Sequence, residues 1–359
     1  MRRLRGIVVR IAEILCIYIW GVGIGYLLNS IRFPMPFLLG PLFCTMFWNI
    51  LYQTGTRIPV ATRSASQLLI SSAVGLNITL DHLLMLAGFL VPMVIVTLLT
   101  VVAGFCAAGI LVKLTRIDVV TASLSSVPGG PVEMSSLAQK YGVHPAPVAF
   151  AQTLRIMLIV VFIPPLLFSF AGMSGQAGYS AATAGQGGVT DVLLLLAIAS
   201  VGALTFVKAR ISTPFFLGPL AFCGVASVAS LPIAAPPFWV VAGAQVMMGV
   251  WLGSVFDGDT LVKFRTFALA AIVSTMVLIA MCGLVALTVS ELWGIPLPTM
   301  ILASAPGSLT EMVMTAKILN EGVVIVTGFH VIRLFLILPS APYLFSATAR
   351  LARRLGTTE

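Results

Sequence analysis

Apolar residues fill this chain in long, nearly uninterrupted blocks separated by short polar stretches, a pattern too greasy for helices that bury only one face. The block from Leu83 to Val112, "LLMLAGFLVPMVIVTLLTVVAGFCAAGILV", is long enough to cross roughly 30 Å of hydrocarbon as a helix. Spans are expected near 11–30, 36–52, 64–79, 83–112 and 146–169, and again near 189–207, 214–231, 238–255, 262–289 and 323–346. Two blocks break the pattern. "SSVPGGPVEMSSLAQKYG", Ser125 to Gly142, and "ASAPGSLTEMVMTAKILN", Ala303 to Asn320, bring proline, glycine and glutamate into apolar surroundings. The stretches 118–141 and 296–320 are therefore read as hairpins that enter the bilayer and return.

Composition agrees with membrane embedding. Of the 359 residues, 59% are hydrophobic and 9% charged, against about a quarter charged in a soluble domain. Mean hydropathy is +1.09. The first block, after "MRRLRGIVVR", outlasts a signal-peptide core and lacks a small-x-small cleavage site, so it is expected to stay as a span. A net charge of +9 could invite nucleic acid, but the arginines lie between spans rather than on one face, so direct nucleic-acid contact is not expected. With both termini in the cytoplasm, most of the 20 lysines and arginines fall in inside loops; among loop residues Arg32 alone falls outside.

The chain repeats itself. A shift of 178 residues lays Met35–Leu42, "MPFLLGPL", on Thr213–Leu220, "TPFFLGPL", and carries Gln67 onto Gln245 and Gly75 onto Gly253. It also carries Ser126, Pro128, Gly129, Glu133 and Arg155 onto Ser304, Pro306, Gly307, Glu311 and Arg333. The first membrane repeat covers 1–170, a small-residue linker covers 171–188, the second repeat covers 189–350, and a basic tail covers 351–359. Five spans is an odd number, so the second copy begins on the opposite side from the first. The expected fold is an all-α polytopic membrane protein: an inverted repeat of two five-span halves, each with a re-entrant broken-helix hairpin, as in secondary transporters.

The breaks carry the candidate chemistry. Pro128 and Pro131 lack amide hydrogens, and Gly129 and Gly130 relax the backbone, so a helix from Asp118 should stop near Val127 and another start near Pro131. Backbone groups freed there must face protein or water, and a helix N-terminus attracts anionic oxygen. If the tips meet, Ser125, Ser126, Gly129, Gly130 and Glu133 face Ser304, Gly307, Ser308, Thr310 and Glu311 across a polar chamber. Tight packing with both glutamates as caps is the bland alternative. In the following spans Gln152 and Arg155, and His330 and Arg333, stand three residues apart on one helix face. A membrane-embedded arginine needs an anion or carbonyls. The simplest partners are Glu133 and Glu311; the alternative is that the arginines bind a substrate anion while Glu133, Glu311 or His330 handles a proton. Gly40, Pro41, Gly218 and Pro219 suggest kinked spans with close backbone approach, and Asp257 and Asp259 read as helix-start or gating residues.

Cysteines 16, 44, 106, 223 and 282 and the three histidines are scattered, with no metal-ligand spacing, and no nucleotide motif occurs, so neither metal nor cofactor is expected. The duplicated "LGPL", the "SSVPGGPVEMSSLAQKYG" block with its following "QTLRI", and the degenerate second copy resemble the bacterial inner-membrane AbrB family over nearly the whole chain. Nothing resembles the small soluble DNA-binding regulator that shares the name. Members are variously labelled regulators of gene expression, ammonia monooxygenases or transporters, so the resemblance implies an inner-membrane protein without settling a substrate. Ser308 in place of Gly130, and His330 in place of Gln152, show that the two tips need not contribute equally.

Three functions follow. Secondary transport of a small solute, an organic anion by the arginines or a cation by the glutamates, accounts for the repeat, the breaks and the buried charges together. A membrane regulator or sensor acting indirectly on gene expression is the second. A monooxygenase is the third, and three dispersed histidines do not assemble its redox metal. Expected partners are the small-molecule or ion substrate and membrane lipids, and the outer faces permit a monomer or a homodimer.

Overall fold

The computed structural model describes residues 2–52, 56–170, 187–256 and 265–354. Most of the expected linker, Asp257, Asp259 and the end of the basic tail lie outside them. The described residues form helices: α1 (Arg2–Ser30), α2 (Pro36–Tyr52), α3 (Val60–Gly75), α4 (Leu80–Gly88), α5 (Leu90–Thr115), α6 (Val119–Ser126), α7 (Pro131–Lys140) and α8 (Pro145–Phe170). The second half adds α9 (Val189–Lys208), α10 (Pro214–Val228), α11 (Phe238–Gly253), α12 (Arg265–Trp293), α13 (Leu297–Ser304), α14 (Leu309–Leu319) and α15 (Val323–Arg354).

Six of these helices are long and apolar enough to cross a bilayer, or up to seven if the bent pair α3 and α4 forms one span; α2, α10 and α11 are shorter apolar helices. The protein is a multi-pass membrane protein. Large apolar side chains such as Trp20, Leu27, Leu98, Leu193 and Leu284 stay exposed on the helices, where lipid rather than water is the fitting solvent.

One expected span is divided. The block 83–112 contains most of α4 and most of α5, and α4 bends 93° away from α3. Pro92 explains the interruption: its ring would clash with the Gly88 carbonyl in a continuous helix, whereas in the first turn of α5 its missing N–H leaves no helical bond unmade.

The 178-residue shift holds in the backbone. It carries the start of α3 onto that of α11, both ends of α6 onto those of α13, and the start of α8 onto that of α15. It also carries the left-handed residues Arg32, Met35 and Arg116 onto Arg210, Thr213 and Gly294, and Gly142 onto Asn320. Most L-residues adopt positive φ at a cost, so its recurrence at non-glycine positions marks shared local geometry more strongly than matching leucines do.

Packing groups these helices into two compact units, each drawing on both halves of the chain. The first comprises Met1–Leu84, Pro164–Leu261 and Lys317–Leu319; the second comprises Met85–Ile163, Val262–Ala316 and Asn320–Glu359.

In the first unit, α1 packs on α2 and α9 on α10. A Cβ added to Gly40 would stand 2.7 Å from the Gly25 nitrogen, and one added to Gly218 would collide with the Gly202 carbonyl. The repeated "LGPL" is thus a place where two backbones touch, the close approach that small residues allow within membranes. Gly218→Ala is expected to cost about 1–3 kcal/mol through overpacking, read as a lower thermal unfolding midpoint in detergent. Gly23→Ala, where an added Cβ meets nothing within 4 Å, serves as the neutral control. A groove of about 590 Å³ in the same unit, walled by Tyr18, Tyr26, Phe37 and Trp239, has no charged lining residue and does not resemble a polar solute site.

Candidate functional site

Both helix breaks belong to the second unit. Asp118 opens α6 by accepting a hydrogen bond from the Thr121 amide at 2.7 Å, an ordinary N-cap. The helix ends at Ser126 because Val127 turns extended, as the residue before a proline prefers. Gly130 is also extended, and Pro131 occupies the first turn of α7, where its missing amide is harmless. The second copy repeats the plan: α13 ends at Ser304, Ala305 is extended before Pro306, and α14 begins at Leu309. The two interruptions fall where the Pro-Gly runs predict them.

The carbonyls freed at these breaks are taken up by the helices that follow. Gln152 Nε2 donates to the Leu124 carbonyl at 2.7 Å and to that of Val127 at 3.0 Å. Arg155 donates through Nη1 to the Ser126 and Val127 carbonyls at 3.0 and 3.3 Å, and through Nη2 to that of Gly129 at 3.3 Å. In the second copy His330 Nε2 lies 2.9 Å from the Leu302 carbonyl, and Arg333 donates to the carbonyls of Ala305 and Gly307, each at 2.7 Å. Leu124, Val127 and Gly129 map onto Leu302, Ala305 and Gly307 under the 178-residue shift, so the pins themselves are duplicated.

Within each pair the neighbours also bond: Arg155 Nη2 donates to Gln152 Oε1, and Arg333 Nη2 stands 2.7 Å from His330 Nδ1. A carbonyl only accepts and a guanidinium only donates, so His330 carries its proton on Nε2 and offers Nδ1 to Arg333. The imidazole thereby performs the same donor-and-acceptor task as the Gln152 amide. His330→Gln is expected to leave the thermal midpoint within about 1 kcal/mol of wild type, whereas His330→Ala, which strands the Leu302 carbonyl, should cost about 1–3 kcal/mol.

Pairing of Arg155 and Arg333 with Glu133 and Glu311 is not what occurs: among the described residues neither arginine has a carboxylate partner, and their Nη groups donate to backbone carbonyls and to Gln152 and His330. The physical reason is supply. Each break strands several carbonyls beside a five-donor fork, and the guanidinium satisfies them at once. Glu133 is half-buried in the first turn of α7, folded back so that a Cβ on Gly130 would collide with its Oε2. Glu311 is 2% exposed, and its Oε2 is buried without a hydrogen-bond partner.

The remaining predicted residues fall close by. Ser304 Oγ donates to the Cys282 carbonyl at 3.2 Å, the Ser308 carbonyl accepts from the Met312 amide at 3.2 Å, and Thr310 is buried. Ser125 and Ser126 line a cavity of about 10 Å³ with Arg155. Arg155, Arg333 and Cys282 lie within electrostatic reach of one another, and a Cβ on Gly307 would stand 3.1 Å from Ile159, one turn beyond Arg155. The two tips are therefore neighbours in one unit. The first is the more open: Gly129 and Gly130 are half-buried, whereas Ala305, Pro306 and Gly307 are buried. Ser274 and Thr275 of α12 were not singled out from sequence, and Cys282 was read only as one of the scattered cysteines. Their trace there lies in the repeat comparison, in which Ser274 and Cys282 replace Val96 and Gly104.

Residues 37–349 match the family described as "Transition state regulatory protein AbrB", and the chain belongs to that family. Its all-helical, multi-span architecture is that of a membrane protein and not of a small soluble DNA-binding domain. The chain is 24% identical over 328 residues to "Putative regulator AbrB" of Escherichia coli (strain K12), covering 91% of this chain and 93% of that protein. It is 27% identical over 290 residues to "Uncharacterized protein YhjN" of Bacillus subtilis (strain 168), covering 77% and 76%. Neither relative is named as an enzyme, and no group of three or more histidine, cysteine, aspartate or glutamate residues able to hold a metal occurs among the described residues.

Proposed function

We propose that the chain is a bacterial inner-membrane protein with both termini cytoplasmic, and that its two halves form an inverted repeat of five spans each. The paired breaks recognise a small solute, an organic anion, and the protein moves it by alternating access with Glu311 or Glu133 coupling a proton. One observation carries this reading. Two interrupted helices, duplicated down to the Arg-to-carbonyl bonds, lie side by side in one compact unit with a buried and a half-buried arginine and, among the described residues, no carboxylate partner for either. Interrupted helices facing each other are how repeat-built transporters expose backbone dipoles to a solute at membrane depth. Net positive charge in low dielectric favours an anion. His330 then serves as a positioning residue equivalent to Gln152.

The test is uptake of a panel of radiolabelled small carboxylates into liposomes holding the purified protein, with and without an inward proton gradient. Gradient-stimulated uptake is expected. Its absence for every solute, in protein whose thermal midpoint those solutes do not shift, overturns the reading.

The printed names of the family and of the Escherichia coli relative favour a second reading, a membrane regulator or sensor that alters gene expression indirectly. Those names carry regulation and say nothing of transport. The same solute site serves it: ligand occupancy would change a partner's binding rather than turn over. Solute-dependent co-purification of a regulatory protein, with no uptake by the reconstituted chain, distinguishes this reading from transport.

A further inference from the structure

The small cavity behind the first tip is polar where it need not be. Its walls include Ser125 and Ser126 from α6, Arg155 from α8, and Ser274 and Thr275 from α12, closed by apolar side chains such as Ala151. Ser125 and Arg155 are 3% and 2% exposed, and Ser125 Oγ and Arg155 Nε make no hydrogen bond to the protein. The Nη groups of Arg155 donate to the Ser126, Val127 and Gly129 carbonyls and to Gln152 Oε1, which leaves its Nε–H as the spare donor beside this space. A buried polar atom left unsatisfied costs about 1–3 kcal/mol, and two of them belong to walls of one cavity of about 10 Å³, room for one water-sized particle.

The repeat supplies a comparison. The positions related by the 178-residue shift hold Ala303 for Ser125, Phe329 for Ala151 and Val96 for Ser274. Phe329 is buried; the shift keeps the hydroxyls of Ser126 and Thr275, as Ser304 and Thr97, and loses those of Ser125 and Ser274. The Ser125 hydroxyl, which is buried without a hydrogen-bond partner, thus has no counterpart at the related position. A guanidinium with a second guanidinium in electrostatic reach, and no carboxylate partner among the described residues, makes the cavity positive.

We propose that it binds one monatomic inorganic anion of the halide class, held by Arg155 Nε–H and the Ser125 hydroxyl, with the serine and threonine dipoles of α12 alongside. A water would satisfy the hydrogen bonds but not the charge; a halide does both and fits walls that are half apolar. The space excludes an organic anion, so this is a second ligand beside the proposed solute, and it stands or falls apart from transport.

The test is thermal unfolding of the detergent-purified chain in sodium chloride, sodium bromide and sodium gluconate at equal ionic strength. Chloride and bromide are expected to raise the midpoint in a saturable way and gluconate not to. Ser125→Ala, which copies Ala303, should weaken the apparent halide affinity about tenfold, the loss of one charge-assisted hydrogen bond. Equal midpoints in halide and gluconate assign the cavity to water and overturn the proposal, as does Ser125→Ala with wild-type halide affinity. Should Ser125→Ala fail to fold, anomalous scattering from wild-type crystals in bromide decides: a peak beside Ser125 and Arg155 supports the site, and its absence there overturns it. A chain that moves no organic anion yet responds to halide keeps this inference while losing the transport reading.

Discussion

Arg155→Ala is expected to be the most destabilising single substitution in the second unit, lowering stability by about 3–5 kcal/mol. Arg155 is 2% exposed and donates to the carbonyls of Ser126, Val127 and Gly129 and to Gln152 Oε1. An alanine there leaves carbonyls in a medium that offers no replacement donors, and unpaired backbone at membrane depth costs several kcal/mol. Arg155→Lys should recover less than half of the loss, because one ammonium cannot span three carbonyls in the plane that a guanidinium fits. The readouts are the thermal midpoint in detergent and proteolytic cleavage within 127–130, which should rise as the tip loosens. A midpoint unchanged in both variants would mean that the break is held by something other than its arginine.

Glu311→Gln is expected to abolish the coupling of uptake to a proton gradient, reducing the gradient-stimulated rate at least tenfold, while the thermal midpoint stays level or rises. The carboxyl is 2% exposed with one oxygen unpartnered, and replacing a buried, unpaired ionisable group by an amide removes a desolvation burden. Glu133→Gln should have a smaller effect on both, since Glu133 is half-buried and folded over Gly130. Retained gradient dependence in Glu311→Gln removes this residue from the proposed coupling step.

Much of the architecture is legible from residue types alone because membrane helices announce themselves by length and the breaks by proline and glycine. The interruptions at 127–130 and 305–308 follow from Pro128, Pro131 and Pro306 with their neighbouring glycines. The 178-residue shift shows in the sequence and returns in the positive-φ residues. What stayed hidden is whatever depends on backbone acceptors or on packing. Carbonyls carry no residue-type signal, so Arg155 and Arg333 looked like partners for Glu133 and Glu311. The division of 83–112 turned on a single ring, Pro92, in an otherwise uniform apolar run. Nothing local links Ser125 to Ser274, which meet at one cavity only after the chain has folded. The gathering of helices from both repeats into each unit is likewise a matter of packing that chain order does not announce.

The inverted repeat is tested most directly by single cysteines placed at His144 and Asn320 in a chain whose five native cysteines are replaced. Both positions are exposed beside the far ends of α7 and α14, and both belong to the second unit. With a membrane-impermeant maleimide, inversion predicts labelling of His144→Cys from the cytoplasmic face alone and of Asn320→Cys from the opposite face alone. Labelling of both from the same face would contradict it.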